Sequence, residues 1–410
     1  MAPQDEILGF WDRLLRDSDG LRRPVALETP LSTPLLSERD FRAIIQNFGS
    51  TGSHEEPRLR AYVAGRHCER LAARVRSESP GPREPLEDWL SRLSDGASAG
   101  LVINEAERWS DAVACRIARF VQPLLRTFCF PQVAVELALF IGDYGYTPFG
   151  AHRDPDHHRT LHFHVGPRPK RFIVWDTAVY EQLTGRASNY YDPGSIAAHG
   201  TTYDVSSGDV FLLPPHNFHV GNTLGFSMDA AVILSKVTKT QALREAGDQA
   251  LRRLIAAEDD RSSTTFEAEP ADYLTAHVAS ETTMQAWLEQ AVEEFSLLRA
   301  SNAGLRFPGF VRGAVEAEAL SRNAVQLTSP FRILTRTLGA SLILYARHHR
   351  IQLRHAPALT DLVALLDSGQ IFRVADLARR FEAHLDHDAL IGLIGRLVEI
   401  GAVAMKEVPT

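Results

Sequence analysis

Two histidines and an aspartate carry the spacing of a metal-ligating set. In GAHRDPDHHRTLHFHVG, His152 and Asp154 stand two residues apart. On an extended chain, residues i and i+2 project to the same side. A third donor, His219, follows the strand-like run GDVFLLPP (Gly208–Pro215) and three further residues. Two imidazoles and one carboxylate on neighbouring strands form a facial set with open positions. That arrangement suits non-haem Fe(II) and leaves room for a co-substrate and O2. A His-x-Asp pair alone arises easily by chance in a chain with 16 histidines. The histidine delivered at the end of a separate strand is what makes the set specific. Arg153, between the first two donors, is expected to point the other way.

The elements around these residues change in texture along the chain. Residues 4–17 space Ile7, Phe10, Trp11 and Leu14 as an amphipathic helix. Arg23–Leu27 reads as a short extended segment, and Ser37 with Asp40 as a capping box opening a second helix. Residues 49–57 and 77–85 read as loops, Gly100–Asn104 as a buried strand and 105–126 as a helix. From Val133 to about Val237 come short β-like runs (VAVELALFI, RTLHFHVG, KRFIVWD, TTYDV, GDVFLLP, FSMDAAVILSKV), which predict an all-β sandwich or barrel. After Thr238 the period is helical, with helices over 240–258 and 282–300 joined by a polar connection at 261–270. Three helical stretches (360–366, 374–383, 386–400) and the strand-like AVAMKEV then follow in the order of a winged helix. The expected division is 1–237 (β core about 133–237), a helical segment 238–355, and a winged-helix-like unit 356–410.

Composition narrows the function classes. With 410 residues, 44% hydrophobic and 23% charged, the chain is neither disordered nor fibrous. A net charge of −7 argues against a protein that coats nucleic acid. Of the 44 basic residues only Lys170, Lys236, Lys239 and Lys406 are lysines, so each lysine merits inspection. Cys68, Cys115 and Cys129 are odd in number and lack Cys-x-x-Cys spacing, which argues against a disulfide framework and a cysteine zinc site. No apolar run is long enough for a membrane span, and the first residues do not read as a secretion signal. A cytoplasmic protein without membrane attachment is expected.

Taken together, these motifs resemble the JmjC-type cupin oxygenases, and within them the ribosomal-oxygenase-like group. The family pattern runs from H-x-D, through a Gly followed by basic and aromatic positions, to G-D-x4-P-P-x3-H. It is matched by His152, Asp154, Gly166, Lys170, Trp175, Gly208, Asp209, Pro214, Pro215 and His219. Upstream, Phe10-Trp11, Arg23-Pro24-Val25, LLSERDF and GASAGLVINEAERWSD are similar to the family's entry segments, so the resemblance covers about residues 8–237. It implies an α+β chain: a double-stranded β-helix (jelly-roll) core with N-terminal helices, a helical dimerisation-type segment and a C-terminal winged helix.

The resemblance further implies that His152, Asp154 and His219 bind Fe(II), that 2-oxoglutarate is the co-substrate, and that Lys170 meets its distal carboxylate. A Lys ammonium is a compact point charge suited to that task. Arg171 lies on the opposite face of the same strand, and the family's shorter spacing after Gly166 keeps Arg168 and Arg171 open as the partner instead. Tyr144, Tyr146, Thr147, His164 and Asn222 are further pocket candidates, and His162 shares a face with His164. The implied reaction is hydroxylation of a side chain in a peptide or protein, by a homodimer. The long segments flanking the core would supply the surface such a substrate needs. Other readings are an oxygenase of a small metabolite, a cupin-based ligand-sensing regulator and a non-catalytic binding module. A regulator needs no such triad. Asp386 and Asp388, at the start of the last helix, would face phosphates badly, which argues against nucleic acid as a partner.

Overall fold

The fold comes from a computed structural model that describes residues 2–49, 58–128, 133–259 and 281–407. Most of the loop expected at 49–57, the connection 261–270 and Cys129 lie outside the described residues. The first half contains strands β1 (Val25–Leu27), β2 (Arg58–Val63), β3 (Arg66–His67) and β4 (Ala99–Asn104), with helices α1 (Gln4–Asp17), α2 (Glu38–Gln46), α3 (Glu69–Ser77), α4 (Leu86–Leu93) and α5 (Asp111–Phe128). The β core follows as β5 (Val133–Gly142), β6 (His158–Pro167), β7 (Lys170–Trp175), helix α6 (Thr177–Thr184), β8 (Thr201–Val205), β9 (Val210–Leu213), β10 (Phe218–Thr223) and β11 (Ser227–Lys236).

These strands form two antiparallel sheets. The large one has the order β1-β9-β6-β11-β5-β4-β2-β3, and the small one β10-β7-β8. A two-residue bridge at Ala151–His152 pairs with Tyr190 on one side and His219 on the other. The chain therefore alternates between sheets, which gives the strand order of a jelly roll. The centre of the large sheet is β11, paired along its length with β5 on one side and β6 on the other. Period-two alternation sorts its faces. Leu137, Leu139, Leu161, Phe163, Ala230 and Val232 pack towards Phe10, Trp11 and Phe120 of α1 and α5. Ala138, Phe140, Thr160, His162, Ala231 and Ile233 face the other way and line a cavity between the sheets. The amphipathic stripe of α1 finds its partner here, and the Trp11 indole donates to the Phe120 carbonyl at 2.7 Å.

The capping box at Ser37 and Asp40 forms as expected. The helix expected over 105–126 is divided: a short 3-10 turn, Ala106–Trp109, precedes α5. The break lets Glu107 serve the sheet. Pairing between β4 and β5 ends at Ile103 and Leu139, and the next free amide on that edge, Leu137, donates to Glu107 Oε2 at 2.9 Å.

Beyond the barrel, α7 (Lys239–Asp259) and α8 (Glu281–Ser301) pack through Ala246, Ala250, Ala291 and Phe295. The rest of the stretch expected to be helical is not. After α9 (Ala317–Arg322) come β12 (Ala324–Leu327) and a three-stranded meander, β13 (Ile333–Leu338), β14 (Ser341–Ala346) and β15 (His349–Arg354). The chain ends with α10 (Pro357–Asp367), β16 (Phe372–Arg373), α11 (Val374–Phe381), α12 (His387–Glu399) and β17 (Val403–Lys406). One hydrophobic core joins Leu320, Val325, Ile333 and Leu342 to Leu362, Leu377, Leu393, Ile394 and Val403. The boundary expected at 356 therefore runs through a single core, because β12 pairs with β17 and β16. Buried Arg347, at the β14–β15 turn, donates to Asp111 at 2.9 Å at the start of α5 and stacks 3.7 Å from the Phe331 ring centroid. Leu305 forms a parallel bridge to Val135 of β5.

Burial raises the Glu107 carboxyl to about 8, against the Leu137 amide that favours its charged form. The folded protein thus keeps it protonated while the unfolded chain ionises it above the ordinary carboxylate range. Its contribution is absent at pH 4, grows more destabilising as pH rises, and is complete above pH 8. Glu107→Gln, which keeps the acceptor for Leu137, should leave stability near pH 4 unchanged and raise it by on the order of 4 kcal/mol at pH 9 in urea titrations.

Candidate metal centre

His152 and His219 face each other because their strands exchange both backbone hydrogen bonds, His152 N to His219 O at 3.0 Å and the reverse at 2.8 Å. The ring centroids lie 4.3 Å apart. Each ring is fixed through Nδ1: His152 against the Gly150 carbonyl at 3.0 Å, and His219 against the Asn217 carbonyl at 3.3 Å. With Nδ1–H donated to a carbonyl, the lone pair sits on Nε2. Asp154 joins from two residues along, and Thr160 donates its hydroxyl to Oδ2 at 3.0 Å. One donor atom from each of the three residues lies within 4.8 Å of the others.

Protonation favours ligation. Burial, then the neighbouring His152, lowers the His219 imidazole to about 3, and burial likewise lowers His152. Burial alone would raise the Asp154 carboxyl, but His219 and His152 hold it below its ordinary value. Two neutral imidazoles and one carboxylate fit a divalent cation of the Fe(II) type. His219 is not delivered at the end of the preceding strand, as the motif suggests. It is the second residue of β10, and the Pro-Pro turn only reverses the chain.

The triad opens onto a cavity of about 400 Å³ between the sheets. Lys170, Thr147 and His162 line it as well. In the small sheet His219 pairs with Val174 and Thr223 with Lys170, so the lysine enters the cavity further along β7 from the triad. Lys170 is 2% exposed and donates to Asp229 Oδ2 at 2.9 Å. Its ammonium lies 4.7 Å and 5.0 Å from the Phe140 and Phe172 ring centroids. The same Asp229 oxygen meets His162 Nδ1 at 2.7 Å. Burial would discharge both members of the ion pair, yet Asp229 and then Tyr144 raise Lys170, and Lys170 and then His162 lower Asp229. The pair is therefore ionised. Gly221 makes room for it: a Cβ there would lie 3.1 Å from Lys170 Cε and 3.2 Å from Thr147 Oγ1. An ammonium has three donors, and Asp229 takes one of them.

Other expected site residues lie elsewhere. Arg171 points out of the barrel and pairs with Asp204 at 2.6 Å, because it is one residue out of phase with Lys170. Arg168 is exposed, and Asn222 pairs across from Arg171 in β10 on the outer side. Tyr146 packs with Ile173 and Trp175 in a side cluster. His164 is buried, and its Nε2 is held by the Arg168 carbonyl at 2.7 Å. Arg171, Tyr146, His164 and Asn222 are thus not among the residues lining the cavity. Sequence reasoning missed Thr160, Asp229, Gly221 and Arg60. A usable signal existed for Asp229, the one charge inside the apolar run FSMDAAVIL.

The Lys170–Asp229 pair makes a stability prediction. Lys170→Met and Asp229→Asn should each destabilise the fold by about 3–5 kcal/mol, since the first leaves the buried carboxylate with His162 alone and the second leaves the buried ammonium without its carboxylate. The double variant should lose clearly less than the sum in urea unfolding, and additive losses would show that the two side chains are not coupled.

No family model matches the chain, and no curated protein matches it. Solved structures similar to it include the Escherichia coli ribosomal oxygenase YcfD in complex with cobalt and 2-oxoglutarate, at 14% identity and a TM-score of 0.46 over 97% of this chain and 98% of that one. An X-ray structure of E. coli ycfD is similar at 15% identity and a TM-score of 0.48, with the same coverage.

Proposed function

We propose that this chain is an Fe(II)- and 2-oxoglutarate-dependent oxygenase that hydroxylates a side chain of a peptide or protein. The observation carrying this reading is the meeting of His152, Asp154 and His219 at a cavity that also holds the Lys170 ammonium. In it, His152, Asp154 and His219 hold the metal, and Lys170 with Thr147 receives the distal carboxylate of the co-substrate. The bound pair would supply O2 activation, coupling oxidative decarboxylation of 2-oxoglutarate to succinate and CO2 with insertion of one oxygen atom into a C–H bond.

The chain's own residues have defined tasks. The Gly150 and Asn217 carbonyls orient the two imidazoles, and Thr160 turns the carboxylate. Asp229 anchors Lys170, and Phe140 and Phe172 flank its ammonium and exclude water. The open side of the cavity receives the substrate. In the same reading, α7 and α8 form the segment that pairs two subunits, the unit after Ser301 includes a winged helix that presents substrate, and the protein acts in the cytoplasm.

Anaerobic Fe(II) titration tests the triad. Wild type should bind about one Fe(II) per chain, His152→Ala, Asp154→Ala and His219→Ala should lose most of it, and His162→Ala should keep it. Full metal content in His219→Ala would remove the assignment. Lys170→Met should retain metal while its 2-oxoglutarate affinity, measured by calorimetry, falls at least about ten-fold. Unchanged affinity would place the distal carboxylate elsewhere.

A further inference from the structure

The short segment that carries His152 has a neighbour on its far side. His152 pairs with His219 of β10, and Ala151 pairs with Tyr190 through backbone hydrogen bonds of 2.9 Å in both directions. The segment around Tyr190 thus extends the small sheet beyond the metal ligands. Opposite residues of paired strands share a face, and successive residues alternate. Ala151, Val220 and Tyr190 accordingly pack with Trp175 and Tyr180 in the outer cluster. Asn189 turns with His152 to the other face and lines the cavity. Tyr191, two residues on, falls on the same face as Asn189 and is 72% exposed.

This segment is held in place as a strand edge. The Tyr180 hydroxyl lies 2.9 Å from the Ser188 carbonyl oxygen and 3.1 Å from that of Ala151. Asn189 Nδ2 donates to the Phe149 carbonyl at 3.1 Å. Gly150 permits the close approach, since a Cβ there would lie 2.4 Å from the Tyr190 carbonyl oxygen. Because Tyr190 directs both of its backbone groups at Ala151, those of Asn189 and Tyr191 point the opposite way. They have no hydrogen-bond partner among the described residues, and both residues are exposed. Open edges are commonly blunted by lysine or proline, and residues 189–191 include neither.

Donor and acceptor pairs set two residues apart along an edge match the backbone of another extended polypeptide. We propose that the substrate polypeptide docks here as an added strand, antiparallel to Asn189–Tyr191 as the strand pairs of both barrel sheets are. Its residue opposite Asn189 exchanges two backbone hydrogen bonds, and its residue opposite Tyr191 two more. The side chain opposite Asn189 falls on the cavity face, in one row with Asn189, His152 and His219. Two strand spacings, about 10 Å, separate its backbone from that of His152. Main-chain pairing thus sets the register that presents one side chain to the cavity. The proposal rests on the oxygenase reading for calling this partner the substrate, but docking is measured without turnover.

The test selects a display library of random linear dodecapeptides on the full chain, with Co(II) and 2-oxoglutarate and in parallel metal-free. The tightest peptide is resynthesised with a fluorescein label, each of its amides is N-methylated in turn, and binding is read by anisotropy. Methylation should cost about ten-fold at each of two amides set two residues apart, with little loss at the amide between them. Tyr191→Pro, which deletes a donor from the edge, should weaken the peptide about ten-fold, whereas Tyr191→Ala, which keeps that donor, should lose clearly less. Both variants should take up Co(II) as the wild type does. In the wild-type chain, hydrogen exchange at the amides of residues 189–191 should slow when the peptide binds, a readout that needs no variant to fold. Failure to select any peptide, a flat methylation scan, unchanged exchange at 189–191, or equal losses in Tyr191→Ala and Tyr191→Pro overturns the proposal. So does a change in the sedimentation of the free chain in Tyr191→Pro, which would assign the edge to a second copy of the chain. Absence of metal uptake would sink the oxygenase reading alone, because the methylation pattern is also read on the metal-free chain.

Discussion

A carboxylate with no access to water sits at the centre of the barrel, and much of the interior follows from what it requires. Asp229 is 0% exposed and comes from the strand that joins the two halves of the large sheet. An isolated charge there would be prohibitive, so it needs partners aimed at it from the opposite sheet and from the neighbouring strand. Lys170 supplies one from β7 and His162 the other from β6. Meeting that demand sets the phase of β7, which sends Arg171 outward, and requires Gly221 opposite. It also fixes a cation inside the cavity, further along β7 than the position opposite His219. The stabilising network and the shape of the candidate site are thus one arrangement.

The triad is legible in the sequence because its logic is local. His152 and Asp154 obey strand alternation, and His219 follows a strand and a turn whose residues mark themselves. The β runs from Val133 to Val237 are legible for a similar reason: each buries a face and is bounded by turn residues. Lys170 over Arg168 and Arg171 is not decided by spacing alone. What decides it is the position of Asp229, 59 residues along the chain and on a strand whose neighbouring residues are apolar. Pairings of that range leave no periodic trace.

The strands of the C-terminal half are hidden for a different reason. In the meander β13–β15, only the middle strand is well buried; its neighbours are mostly half-buried or exposed and carry Arg, Thr and Gln. Their hydrophobic period is diluted, and helical patterns on either side dominate a window reading. β2 escapes notice because Arg58 and Arg60 occupy its exposed face, so its composition resembles a loop. The three C-terminal helices are easier to see, since α10, α11 and α12 each present a compact apolar stripe.

The link between Arg347 and Asp111 has a consequence for how the chain comes to be built. Asp111 starts a helix that packs beneath the barrel, and it also meets Arg312. Arg347 is synthesised 236 residues after it. Leu305, which bridges to Val135 in β5, likewise arrives long after its partner. A nascent barrel leaving the ribosome therefore carries an unanswered charge at the helix start and an open strand edge until the second half emerges. Closing those contacts carries a large loop-closure entropy, which places completion of the barrel late in folding. The half that holds the candidate ligands is in that sense finished by the half that holds none of them.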